Sequence, residues 1–288
     1  MIIADIIQRY KSTLIKVYDS AEARTIITMI LEKELQQNAL RLEMNKNLLL
    51  TTHQQEVLEK HLERLLNHEP VQYILGEADF MDMNFKVNPH VLIPRPETED
   101  LVRWISEVVG SNFNGTILDI GTGSGCIPIS LKKLLPNAEV SACDICADAL
   151  YTATENALMN ETEIDFFRLD VWLQNLPAQY DIIVSNPPYI PLNEKATLAK
   201  HVADFEPAQA LFTPASQALI FYERIAMLAT KHLNKEGKLF FETHTEKTTE
   251  VASLLQTNGF NNVEVRKDAF EKNRMVKGVW SDYVTPIQ

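Results

Sequence analysis

An α/β fold, with a mostly parallel sheet covered by helices on both faces and a small helical bundle in front of it, is what this sequence predicts. Three observations lead there. Residues 1–69 contain neither glycine nor proline, and their apolar residues recur at helical spacing. From about residue 115 onward, short apolar runs alternate with helical runs, the pattern of parallel strands joined by crossover helices. Three of the nine glycines fall in one five-residue window directly after the first of those strands.

The elements follow in order. Residues 1–75 form an N-terminal helical domain of about four helices, read from repeats such as Ile3, Ile6, Ile7, Tyr10 and Val57, Leu58, Leu62, Leu65. Asp19-Ser20 and Asn45-Lys46-Asn47 mark helix junctions with capping residues. His53, His61 and His68 read as solvated helix residues rather than metal ligands. Residues 76–100 alternate apolar and polar and predict a β-hairpin linker, with Asn88-Pro89-His90 as its turn. The linker ends in LIPRPETE (92–99), where two prolines fix extended backbone around Arg95. Thr98 is placed to cap a helix starting near Asp100. Residues 101–288 form the α/β domain. Its strands are expected at 116–121, 139–144, 164–170, 180–186, 237–244, 261–268 and 274–280, and its helices at 126–135, 147–160, 216–233 and 247–258.

Composition bounds the function. A chain of 288 residues, 45% hydrophobic and 23% charged, is an ordinary globular protein long enough for two domains. Its net charge of −12 argues against tight binding to a phosphate backbone. Residues 1–75 carry 10 acidic and 9 basic side chains, so nearly all of that charge belongs to the second part. Three cysteines make no disulfide framework and fit a reducing cytoplasm. Cys143-x-x-Cys146 lacks enough further ligands for zinc and reads as structural, so no metal is expected. The first residues do not read as a signal peptide, and no run approaches 18 uncharged apolar residues.

The chemistry concentrates at strand ends. Gly121-Thr122-Gly123-Ser124-Gly125 is a tight strand-to-helix turn that lets backbone N–H groups approach a ligand. Cys126 occupies the third glycine position of a dinucleotide fingerprint, which weakens an NAD reading. The spacing, preceded by Asp119, suits S-adenosylmethionine. Asp144 ends the next strand, 23 residues after Gly121, where a carboxylate can accept both ribose hydroxyls of an adenosine or cap the following helix. Trp172, in Asp170-Val171-Trp172, is either an adenine-packing residue or a core tryptophan. Asn186-Pro187-Pro188-Tyr189 ends the fourth strand. Its carbonyls and asparagine oxygen are converging acceptors for a planar –NH2 group, and Tyr189 adds a flat face.

That tetrad after a Gly-x-Gly-x-Gly fold resembles the amino-methyltransferases. Together with the helical bundle, LIPRPETE, DIGTGSG (119–125), FEPAQALF (205–212) and KDAFEKNRMV (267–276), the chain resembles the release factor glutamine methyltransferases over nearly its whole length. The resemblance implies a Rossmann-like class I methyltransferase fold, doubly wound, and transfer of a methyl group from S-adenosylmethionine to the N5 amide of a release-factor glutamine. It implies cofactor contacts at Gly121, Thr122, Gly123, Ser124, Gly125, Asp144, Trp172 and Asn186. It implies substrate contacts at Asn186, Pro187, Pro188 and Tyr189, with Arg95, Pro96, Glu97 and Thr98 lining the same cleft. Asn186, Pro187 and Tyr189 are the expected catalytic residues. The sequence departs from the family pattern at Cys146, where serine is usual. It also lacks glycines near 213–217, and has Thr243-His244 where a small apolar residue and glycine are typical.

The alternative is a DNA or RNA adenine-N6 methyltransferase using the same tetrad. Such an enzyme needs a basic face and a target-recognition domain, and this chain is acidic with only a near-neutral helical bundle to offer. The expected partner is therefore a protein, with no direct nucleic acid and no membrane, and a monomer is expected.

Overall fold

The computed structural model describes residues 1–214 and 217–281. Two compact units divide the chain: residues 1–77 with 199–205, and residues 78–198 with the chain from 206 on.

The first unit is helical. Helices α1 (Ile3–Leu14), α2 (Ser20–Leu35), α3 (Ala39–Met44), α4 (Thr52–Leu66) and α5 (Val71–Leu75) are five rather than four. The extra turn follows Pro70, whose fixed φ suits a helix start, and ends at Gly76 in the left-handed region. Each main junction is capped: Asp19 accepts from the Ala21 and Glu22 amides, Asn38 from Arg41, and Thr51 and Gln54 cap each other reciprocally. The core is the stripe Ile3, Ile6, Tyr10, Leu14 against Ile27, Ile30, Leu31, Leu58, Leu62 and Leu65. His61 departs from expectation. Its Nε2 lies 3.0 Å from Glu34 Oε1 and its side chain is mostly buried, because the α2–α4 packing encloses it.

The second unit begins with β1 (Glu77–Phe80) and β2 (Met83–Lys86), a two-stranded hairpin. Its turn is Met81-Asp82, both at positive φ (51° and 59°), not Asn88-Pro89-His90. Met81 is not a customary choice for that geometry and no glycine accompanies Asp82, so the turn carried little sequence signal. Asn88 instead closes a later turn, accepting from the His90 amide. Helix α6 (Pro96–Val109) starts four residues earlier than expected, with Pro96 at its first position and Arg95 as cap. There follow β3 (Thr116–Ile120), α7 (Cys126–Leu134), β4 (Glu139–Asp144), α8 (Ala147–Met159), β5 (Asp165–Arg168), β6 (Tyr180–Ser185) and β7 (Ile190–Pro191). Helix α9 (Lys200–Ala203) groups with the helical unit. Then come α10 (Ala208–Leu211), β8 (Phe212–Thr213), α11 (Ile220–His232), β9 (Leu233–Glu242), α12 (Thr248–Thr257), β10 (Phe260–Lys267) and β11 (Asn273–Trp280). Residues 215 and 216, within the expected 213–217 loop and at the start of the expected 216–233 helix, lie outside the described residues.

Seven strands form one sheet in the order β10-β11-β9-β6-β3-β4-β5. The five from β9 to β5 are parallel and the last two antiparallel. Helices cover both faces. One core packs Leu101, Trp104, Ile105, Ile127 and Leu131 under the sheet, the other Tyr222, Ile225, Ala229, Val251 and Leu255. This is the doubly wound arrangement the βα alternation predicts.

Candidate active site

One register row of the sheet sets the site. Ile120 pairs with Cys143 on β4 and Ser185 on β6, and Ser185 pairs with Phe241 on β9. The next residues along are Asp144, Gly121, Asn186 and Glu242, brought level at the carboxyl edge. The chain reverses its direction across the sheet between β3 and β6, and open α/β sheets bind ligands at such a point. The Ser185 hydroxyl donates to the Ile120 carbonyl at 2.7 Å and ties these two strand ends together.

The glycine turn is held from several sides. Gly121 and Thr122 amides donate to the Cys143 carbonyl at 2.9 and 3.1 Å. The Gly123 amide donates to Asp144 Oδ2 and the Cys146 amide to Asp144 Oδ1, each at 2.9 Å. Asn156, buried on α8, donates to the Ser124 carbonyl at 2.8 Å. Gly121 and Gly123 have positive φ, and a Cβ on either would meet nothing within 4 Å, so their open side is free for a ligand. Gly125 differs. A Cβ there would come within 3.1 Å of Ala153 and Ile129, so its glycine serves the close packing of α7 on α8.

Of the expected residues, Gly121, Thr122, Gly123, Ser124, Asp144, Trp172, Asn186, Pro187, Pro188, Arg95 and Thr98 line one cavity. Gly125, Tyr189, Pro96 and Glu97 do not. Gly125 is taken up in helix packing, and Pro96 is exposed at the α6 N-terminus. Tyr189 is half-buried with its ring tilted 52° to that of His244, centroids 5.9 Å apart. Thr98 caps no helix. It lies in the first turn of α6, and its hydroxyl donates to Glu242 Oε2 at 2.7 Å. Trp172 is 42% exposed at the cavity rim, edge-on to Phe221, and is no core residue.

Three buried carboxylates near the site went unassigned in the sequence. Glu206, its side chain fully buried, accepts from the Arg95 guanidinium at 2.5 Å and the Ile93 amide at 3.3 Å, so it joins LIPRPETE to FEPAQALF. Both motifs were visible, but not that they meet. Glu242 is buried at the end of β9, and burial pushes its pKa to about 7, against the pull of Thr98 and Arg274. Asp119 is wholly buried with neither carboxylate oxygen hydrogen-bonded. Burial pushes its pKa to about 7, with the nearby Thr122 hydroxyl acting the other way and the charge of Asp144 adding to it. Its position before the glycine turn was the one signal.

The lining defines what the cavity can accept. Asp119 is not in that lining; it lies one residue before it, behind Ile120 and the glycine turn. The Thr122 hydroxyl, also buried and unpartnered, awaits a polar group. Asp144 offers acceptors for a diol, and Ile145, Leu169 and Trp172 offer apolar faces for a flat ring. Burial raises the Asp144 pKa, while the Cys146 and Gly123 amides pull it down. These residues fit S-adenosylmethionine, which combines cationic, ribose and adenine groups. Cys126 and Cys143 are buried free thiols with raised pKa values, that of Cys126 pushed to about 12. Among the described residues, no group of three or more His, Cys, Asp or Glu is placed to hold a metal ion, and no helix is long and apolar enough to cross a membrane.

Comparisons with known proteins bear on the family and the fold. Residues 5–76 match the PrmC N-terminal domain family and residues 101–261 the methyltransferase small domain family. The release factor glutamine methyltransferase of Flavobacterium psychrophilum is 41% identical over 281 residues, 96% of this chain and 99% of that protein. That of Bacteroides thetaiotaomicron is 41% identical over 269 residues, 92% and 96%. A methyltransferase structure from Pyrococcus furiosus shares the fold at a TM-score of 0.52 and 15% identity, over 77% of this chain and 99% of that one. With relatives this similar along almost its entire length, the chain belongs to the release factor glutamine methyltransferase family.

Proposed function

We propose that this enzyme methylates the side-chain amide nitrogen of a glutamine in a peptide chain release factor, using S-adenosylmethionine. One observation carries the reading: the glycine turn, Asp144 and Asn186-Pro187-Pro188 line one cavity in a chain of this family. Asp144 and the 121–124 backbone hold the ribose and the methionine end, Trp172 flanks the adenine, and Asp119 is buried just before the turn without lining the cavity. S-adenosylmethionine supplies an activated methyl group on sulfur.

An amide nitrogen is a poor nucleophile because its lone pair is delocalised into the carbonyl. Asn186 Oδ1 and the Pro187 carbonyl each accept one amide N–H. That aims the lone pair at the methyl group and favours the positive charge growing on nitrogen. Pro187 and Pro188 stiffen the acceptor loop. Tyr189, next in the chain after the cavity-lining Pro188, backs the amide plane from outside the lining, with Arg95 and Thr98 on the cleft side. The proton leaves to water once the nitrogen is tetrahedral and acidic, so no general base is assigned. We assign recognition of the intact protein substrate to residues 1–75, whose helical unit lacks the cofactor motif, and place the reaction in the cytoplasm, catalysed by a monomer.

The test is transfer of labelled methyl from S-adenosylmethionine to purified release factor, with mass mapping of the product. Label on the glutamine amide supports the reading. Label on adenine of added DNA or RNA, with none on protein, overturns it.

A further inference from the structure

The corner after β9 stands beside the tetrad. Ser185 and Phe241 are paired neighbours, so the chain leaving β6 reaches Tyr189 four residues later while the chain leaving β9 reaches His244 three residues later. Their rings meet, with centroids 5.9 Å apart. A glycine at 244 would present no side chain to Tyr189.

The corner is rigid without glycine. The Thr243 amide donates to the Arg274 carbonyl at 2.8 Å, and its hydroxyl lies 2.9 Å from that of Thr248. The His244 carbonyl accepts from the Lys247 amide at 2.9 Å and from the Thr248 hydroxyl at 3.3 Å. The imidazole is fixed as well: Nδ1 accepts from the Glu246 amide at 3.3 Å. Backbone and ring are therefore both restrained, and the ring has ordinary backbone angles, φ −61° and ψ 136°. Tyr189 follows the cavity-lining Pro188 in the chain, and His244 gives its ring a fixed partner.

Resting on the assignment of Asn186 and Tyr189 to the amide site above, we propose that His244 is a positioning residue for the methyl transfer: it buttresses the Tyr189 ring so that the ring holds the plane of the glutamine amide. A mispositioned amide reacts slowly even when bound, so the effect falls on turnover rather than on cofactor affinity.

The test uses the full chain, a glutamine-bearing release factor as substrate, and calorimetry with S-adenosylhomocysteine. An aromatic pair contributes enough that losing it lowers kcat about three- to tenfold. We expect that loss for His244→Gly, with cofactor affinity unchanged. His244→Phe, which restores a ring, is expected to recover most of the rate, and His244→Gly in a Tyr189→Ala background to cost nothing further. A glycine variant within twofold of the parent, a parallel loss of cofactor affinity, or additivity with Tyr189→Ala overturns the proposal. Should the glycine variant not fold, His244→Ala against His244→Phe gives the same comparison. Asn186→Ala runs beside them: if it turns over like the parent, the amide-site assignment fails rather than the buttress.

Discussion

Glu206 grips Arg95 from a fully buried position, while the Arg95 side chain is 31% exposed and lines the cavity. The same carboxylate holds the Ile93 amide, so one side chain fixes two neighbouring points of the cavity wall. The pair is worth more as a brace than as an attraction, because a buried charge that loses its partner is costly. Arg95→Met is therefore expected to destabilise the protein by about 3–5 kcal/mol in urea unfolding. Arg95→Met with Glu206→Gln recovers most of that loss. Equal destabilisation of the single and double variants would show that the buried charge is not the cause.

Asp144 serves the protein and the ligand at once. Its two oxygens already accept from Gly123 and Cys146. A ribose adds hydrogen bonds to a charged acceptor, of about 1.5–3 kcal/mol each. Asp144→Ala is expected to weaken S-adenosylhomocysteine binding at least tenfold in calorimetry. Asp144→Asn loses less, since it keeps one acceptor oxygen for the turn. Unchanged affinity in the alanine variant refutes the ribose role.

Asn186 supplies one of two acceptors for the amide. Loss of one preorganised polar contact in a transition state costs about 10²–10³ in rate. Asn186→Ala is expected to lose turnover on that scale at saturating cofactor, with a smaller loss of cofactor affinity. Asn186→Asp retains more activity than alanine because the acceptor oxygen remains. Parental rates in both variants rule out the acceptor clamp.

Asp119 makes the protein sensitive to pH. Its pKa rises from an ordinary value near 4 to about 7 in the folded state. Folding therefore takes up a proton between these values. The favourable contribution is complete below the ordinary pKa and is lost as pH rises through about 7. Asp119→Asn is expected to lessen the fall in stability between pH 5 and 8 by a few kcal/mol at most, as Glu242 still titrates over the same range. Cofactor affinity is expected to move the other way: it strengthens with pH in the parent, as the ionised carboxylate behind the turn attracts the ligand's cation, and stays flat in Asp119→Asn. Parallel pH profiles in the two proteins count against a buried charge at this position.

Much of the site was legible because strand ends are punctuated. Gly121–Ser124, Asp144 and Asn186–Pro188 stand where apolar runs stop, and parallel strands bring such stops level. Glu242 stands in the same row and went unread, because an acidic residue at a strand end looks like any surface carboxylate until burial is known. Asn156 and Glu206 act across 32 and 111 residues of chain, a kind of contact that leaves no local trace. The Met81-Asp82 turn was missed for the opposite reason. Its backbone takes a conformation that its residue types do not advertise, and the hairpin is held by other contacts, such as Met81 to Glu99.

The strand order also imposes a timetable on synthesis. Strands β3 and β4 are near neighbours in the chain and pair directly, so the glycine turn and Asp144 can meet soon after residue 146 has left the ribosome. The amide side waits. Glu242 reaches Thr98 only when β9 is in place, and β9 has an open edge until β11 arrives with residues 273–280. At about 5–20 residues per second, the two halves are separated by on the order of ten seconds. The turn that faces the methyl donor thus comes from a local pair of strands, while the Thr98–Glu242 side depends on pairing late in the chain.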